Sequence, residues 1–161
     1  MSKIRELLKD PNSVLAFDVD GVLAVMEWGE YNHYGEDDSI WASMVESGLY
    51  LYTEQYVVRK MQDFIRGKNK DNIYAISKVF TEFELEDIKH FLSEYYGIKP
   101  EHVYAVKNNH EKADVLDRIR KIHPNINNHQ LIMIDDTPEV LTNIMETTRY
   151  STAHVSSFLD M

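Results

Sequence analysis

Two apolar runs that each close on acids constrain this chain more than any other feature. Val14-Leu15-Ala16-Phe17 leads into Asp18-Val19-Asp20-Gly21-Val22-Leu23, and Leu131-Ile132-Met133-Ile134 leads into Asp135-Asp136. A short, unbroken apolar run reads as a strand buried on both faces, the pattern of a parallel sheet. Asp18 and Asp20 are two residues apart and would share one face of a regular strand, and Gly21 permits a sharp turn just beyond them. Carboxylates crowded in this way resist ionisation unless a cation lies between them. The acids at these two strand ends therefore point to a magnesium site.

The rest of the chain alternates between strand-like and helix-like segments. Ile4, Leu7 and Leu8 predict a short helix over 2–9, stopped by Asp10-Pro11-Asn12. Tyr56, Lys60 and Phe64, with Val57, Met61 and Ile65, recur at helical spacing and predict a core helix over 51–66 that ends at Gly67. A strand over 72–76 follows, then a helix opening at Thr81 with Glu84 placed for a capping box and closed by Gly97 and Pro100. A strand over 103–106 and a helix over 111–122 come next, then a strand over 130–134. Thr137 and Pro138 open a further helix, and a strand over 151–155 completes the series. Strands alternating with helices predict an α/β fold, a Rossmann-like three-layer sandwich with a mainly parallel central sheet.

Length and composition frame this fold. With 161 residues the chain suits one domain, 1–161. Segment 24–49 is too long for an ordinary connection and carries Trp28, Tyr31, His33, Tyr34 and Trp41 among several acids, so it reads as a small flap. The expectation is that 26–48 selects substrate and that the fold survives its removal. The absence of cysteine rules out disulfides and thiolate chemistry and suits a reducing cytoplasm. No run approaches a membrane span, and a net charge of −10 disfavours nucleic acid as a partner. An anionic substrate then has to be drawn in by a local positive centre.

In a parallel sheet, ligands bind beyond the carboxyl ends of the strands, which gathers Asp18, Asp20, Ser77 and Asp135-Asp136 at one rim. At this point the chain resembles the haloacid dehalogenase-like superfamily of phosphotransferases. The resemblance lies in four ordered motifs: Phe17-Asp18-Val19-Asp20-Gly21-Val22-Leu23, Ile76-Ser77-Lys78, Lys112 with Leu116, and Ile134-Asp135-Asp136-Thr137. It implies that Asp18 is the nucleophile that takes the phosphoryl group and that Asp20 is the general acid and base. It also implies that Ser77 binds phosphoryl oxygens and Lys112 offsets their charge. Magnesium would be held by Asp135, Asp136, Asp18 and the backbone carbonyl of Asp20. Many relatives have a glycine where this chain has Ile134, and a second acid placed later than Asp136. Lys107 competes with Lys112 for the neutralising role, and the helix start favours Lys112.

The resemblance implies a magnesium-dependent phosphatase acting on a phosphomonoester, with a small molecule as the expected substrate. The rival is a non-catalytic regulatory protein that keeps the fold and the metal site. A response-regulator receiver uses similar groups in a different order, with its acidic pair early and its lysine last. Here Asp18 comes first and the acidic pair follows Lys112.

Overall fold

The computed structural model describes residues 3–25, 38–48 and 51–159. Its central sheet has five parallel strands: β1 (Val14–Phe17), β4 (Ile73–Lys78), β5 (Val103–Val106), β6 (Leu131–Asp135) and β7 (Ser151–His154). Their order across the sheet is β5-β4-β1-β6-β7. A small antiparallel pair, β2 (Ala24–Val25) with β3 (Tyr56–Val57), lies apart from it. The helices are α1 (Lys3–Lys9), α2 (Asp38–Glu46), α3 (Arg59–Arg66), α4 (Glu82–Tyr96), α5 (Lys112–Ile122) and α6 (Pro138–Thr147). None of these helices is long and apolar enough to cross a membrane.

Side chains alternate across a strand, and here the alternation separates two cores. Leu15 and Phe17 of β1 join a cluster with Leu8 of α1, Trp41 and Val45 of α2, Met61 and Ile65 of α3, and Ile88, Phe91 and Leu92 of α4. Val14 and Ala16 point the other way, into Val115, Leu116 and Ile119 of α5 and Leu141 and Ile144 of α6. β1 and β6 are buried along their whole length, which is why both read as unbroken apolar runs. Each large aliphatic side chain so buried contributes about 1.5–3 kcal/mol. The result is the expected Rossmann-like three-layer α/β fold.

Local chemistry sets the helix ends. Thr81 accepts a hydrogen bond from the Glu84 N–H at 3.1 Å and starts α4, and Gly97, at φ +64°, ends it in the left-handed conformation. Pro138 opens α6 after Thr137 as expected, though the Thr137 side chain makes no capping bond.

Two expectations need correction. The helix expected over 51–66 begins only at Arg59. Before it, Leu51–Glu54 is a 3-10 turn and Tyr56–Val57 pairs with Ala24–Val25. The Val58 N–H is taken by the Leu23 carbonyl at 3.3 Å and the Tyr96 hydroxyl at 3.0 Å, so tertiary partners override the helical spacing. Segment 24–49 also contains α2, whose Trp41 and Val45, four residues apart, are buried in the core. Loss of Trp41 alone would cost about 3–5 kcal/mol, so removal of 26–48 is not the neutral excision the sequence suggested. Trp28, Tyr31, His33 and Tyr34 lie outside the described residues.

Candidate active site

The strand order places the topological switch point at β1 and β6, because the chain leaves β1 to build one half of the sheet and returns beside it to build the other. Phe17 pairs with Ile134, and the Asp18 N–H continues the ladder by donating to the Ile134 carbonyl at 2.8 Å. Asp18 and Asp135 are thereby fixed side by side at the carboxyl edge of the sheet.

Lys112 joins them. It stands at the first position of α5, 2% exposed, and its Nζ donates to Asp18 Oδ1 at 2.7 Å and to Asp135 Oδ2 at 2.9 Å. Burial works to lower the lysine pKa, but the two carboxylates outweigh it and raise the pKa well above the ordinary value. Lys107, the competing candidate, is exposed.

The other oxygen of Asp135, Oδ1, accepts the Thr137 N–H at 2.9 Å, so both oxygens of this fully buried side chain are engaged. Asp136 sits further out, where Thr137 Oγ1 donates to its Oδ1 at 3.3 Å. Its backbone is pinned from β7. The Ser156 N–H donates to His154 Nδ1 at 3.2 Å, which leaves the ring proton on Nε2 to donate to the Asp136 carbonyl at 3.0 Å. Gly21, at φ +77°, gives Asp136 its room: a Cβ at that glycine would stand 2.1 Å from Asp136 Oδ2.

Asp18, Asp135 and Asp136 each offer one carboxylate oxygen, all within 4.8 Å of one another, and among the described residues this is the one such group. Burial first, then the charges of Asp135 and Asp20, push the Asp18 carboxyl up to about 8 against the pull of Lys112. Burial and then Asp135 also raise Asp136. Three ionised carboxylates facing one ammonium would leave two negative charges, which one divalent cation would neutralise. An all-oxygen donor set suits a hard ion such as magnesium. On both counts the residues present fit the metal.

Asp20 points elsewhere. The Tyr52 hydroxyl reaches both of its carboxylate oxygens at 3.0 Å, and withdrawal from water pushes its carboxyl up to about 6 even with that donor. Ser77 is buried in β4, two residues beyond the Ala75 that pairs with Phe17, so it lies at the same edge of the sheet. β4 extends to Lys78 and does not end at Ile76, and the Ser77 hydroxyl makes only a long bond, 3.4 Å, to the Lys78 carbonyl. The structure thus brings Asp18, Lys112, Asp135 and Asp136 into one cluster and sets Asp20 and Ser77 on its margin. Sequence reasoning missed Tyr52, which lies 32 residues from Asp20 in a segment read as helix, and His154.

The raised pKa values carry a sign. An acid whose folded pKa exceeds its unfolded value stabilises the fold at low pH, and that contribution is lost as pH rises through the folded pKa. For Asp18 and Asp20 the loss runs from the ordinary carboxylate value of 3.8 up to about 8 and about 6. A cation binds the ionised carboxylates, so magnesium should restore most stability where they have been forced to ionise. The Tm gain on adding magnesium should be several degrees greater at pH 8 than at pH 5 by scanning calorimetry. An equal gain at both would contradict the metal assignment.

No family model matches the chain, and no curated protein matches it in sequence.

Proposed function

We propose that the chain is a magnesium-dependent phosphatase that hydrolyses a phosphomonoester through an aspartyl phosphate on Asp18. The observation that carries this reading is the Lys112 ammonium bridging Asp18 and Asp135 at the switch point, beside Asp136. The four ordered motifs that resemble the haloacid dehalogenase-like superfamily support it further.

Each residue has a defined task. An Asp18 oxygen attacks phosphorus and the bond to the leaving oxygen breaks, leaving the phosphoryl group on the carboxylate. Asp20 gives its proton to the departing alkoxide. Its carboxyl, pushed up to about 6, is high enough to hold that proton for donation near neutral pH. Water then attacks the acyl phosphate, Asp20 takes the water's proton, and the P–O bond to Asp18 breaks to release phosphate and the free carboxylate. Lys112 lowers the cost of ionising Asp18 and fixes its aim; Ser77 can donate to a phosphoryl oxygen. Asp18, Asp135 and Asp136, with the backbone carbonyl of Asp20, would hold magnesium. The ion supplies positive charge that lets an anionic nucleophile approach an anionic phosphate.

Hydrolysis of para-nitrophenyl phosphate with magnesium and with chelator is the direct test. Magnesium-dependent release supports the reading, and no release under any divalent cation defeats it and favours the non-catalytic alternative.

The two adjacent acids should contribute unequally. Asp136 is partly exposed, so water can replace its carboxylate when it is removed. Asp135 is fully buried, so its loss leaves a gap and takes away one of the two carboxylates that hold Lys112. Asp135→Ala should therefore raise the magnesium concentration for half-maximal activity by more than Asp136→Ala, roughly tenfold against a few-fold. A titration with the order reversed would assign the metal to the outer carboxylate.

A further inference from the structure

A cavity of about 400 Å³ lies along α3, and none of the residues that line it belongs to the phosphoryl site. Lys60, Asp63 and Phe64 border it from one face of the helix, since residues three and four apart are neighbours there. Lys9, Lys68 and Phe158 close it from the sides. Lys9 ends α1 shortly before β1, and Lys68 follows α3 shortly before β4, so both stand where the chain enters the sheet. Asp18 and Lys112 meet at the other, carboxyl edge.

The walls of the cavity are aromatic. Phe64 and Phe158 meet edge-on with ring centroids 4.9 Å apart, and Phe158 is rooted in the core while Phe64 is only half-buried. Lys68 Nζ lies 5.0 Å from the centre of the Phe64 ring and donates to the Leu8 carbonyl at 2.6 Å. That carbonyl is neutral, and an ammonium has three protons to give. Burial pulls the Lys68 pKa below its ordinary value, against a smaller upward pull from Asp10, so the ammonium is held at a cost that an anion beside it would relieve. Lys9 and Lys60, both exposed, add positive charge at the rim. Asp63, the acid of the lining, is paired with Arg66 at 3.2 Å. The cavity is therefore a local positive centre on a chain of net charge −10. Its volume is that of a small-molecule site, and an apolar wall with a few charged groups is how such sites fix a ligand.

We propose that this cavity binds a small aromatic anion, with the ring against Phe64 and the charged group on Lys68, Lys9 and Lys60. The site is independent of the phosphatase reading, and its test needs no turnover.

The probe is naphthalene-1-sulfonate, titrated into the full chain by calorimetry, with methanesulfonate as the anion without a ring. The wild type should bind one naphthalene-1-sulfonate and should bind methanesulfonate at least about tenfold more weakly. Lys68→Met should weaken naphthalene-1-sulfonate by about tenfold, as when a charged hydrogen-bond partner is removed. Lys9→Gln with Lys60→Gln should weaken it at least about threefold, because exposed charges contribute less. The double variant alters only exposed side chains, so it decides the case if Lys68→Met folds poorly. In amide NMR spectra the probe should move the signals of 64–68 and Phe158 most. No binding up to about 10 mM, enough to fill a site of millimolar affinity, overturns the proposal. So does an affinity within twofold of wild type in either variant, measured on folded protein. Methanesulfonate binding as tightly as the naphthalene compound would leave no part for the aromatic wall and also overturns it. Largest shifts around Asp18 and Lys112 would place the probe in the phosphoryl site and have the same consequence.

Discussion

Lys112→Met should abolish measurable turnover and lower Tm by roughly 10 °C, a combination that Lys107→Met should not produce. Removing one partner of a buried ionic group costs about 3–5 kcal/mol, because the remaining charges are left without compensation. Here the remaining charges are Asp18 and Asp135, bonded to the ammonium at 2.7 and 2.9 Å, with Asp136 close by. Each kcal/mol moves Tm by about 2–4 °C in a chain of this size. The variant can escape part of the cost by protonating a carboxylate, and Asp18, already pushed up to about 8, is the first to do so. Its destabilisation should therefore be smaller at pH 5 than at pH 8. Protonation rescues the fold and disables the chemistry, because a neutral Asp18 cannot attack phosphorus. Thermal melts at the two pH values, with magnesium-dependent hydrolysis measured alongside, check both halves. A variant with wild-type Tm and turnover would remove Lys112 from the site.

The same electrostatics explains which parts of this molecule were legible in the sequence. β1 and β6 were readable because strands covered on both faces have no polar side to interrupt them. Thr81 and Gly97 were readable because the ends of α4 depend on residues adjacent in sequence. The cluster of Asp18, Lys112, Asp135 and Asp136 was also accessible, since each lies where a strand ends or a helix begins. Tyr56, Lys60 and Phe64 misled because a spacing of four cannot report the competing bond from Val58 to Leu23, which ends the extended segment just before α3. Trp41 and Val45 gave only one helical repeat inside an acid-rich stretch, too little to reveal α2. Glu84 read as a capping acid, whereas in the fold its carboxylate accepts the Phe80 N–H and the Trp41 indole. Tyr52 left no local signal, because its relation to Asp20 exists only once the chain has folded.

The central claim is that Asp18 is the nucleophile, and Asp18→Asn tests it most directly. Asparagine keeps the shape of the side chain and loses the negative charge and the nucleophilic oxygen. The substitution also relieves the repulsion among buried carboxylates, so without metal the variant should melt at or above the wild-type temperature. Loss of activity then cannot be ascribed to unfolding. Measured with para-nitrophenyl phosphate and magnesium, kcat should fall by about 10⁴-fold or more, the scale seen when an essential nucleophile is removed. Acid-quenched wild type should carry phosphate on the peptide containing Asp18, and the variant should carry none. A folded Asp18→Asn protein that turns over at the wild-type rate would contradict the account.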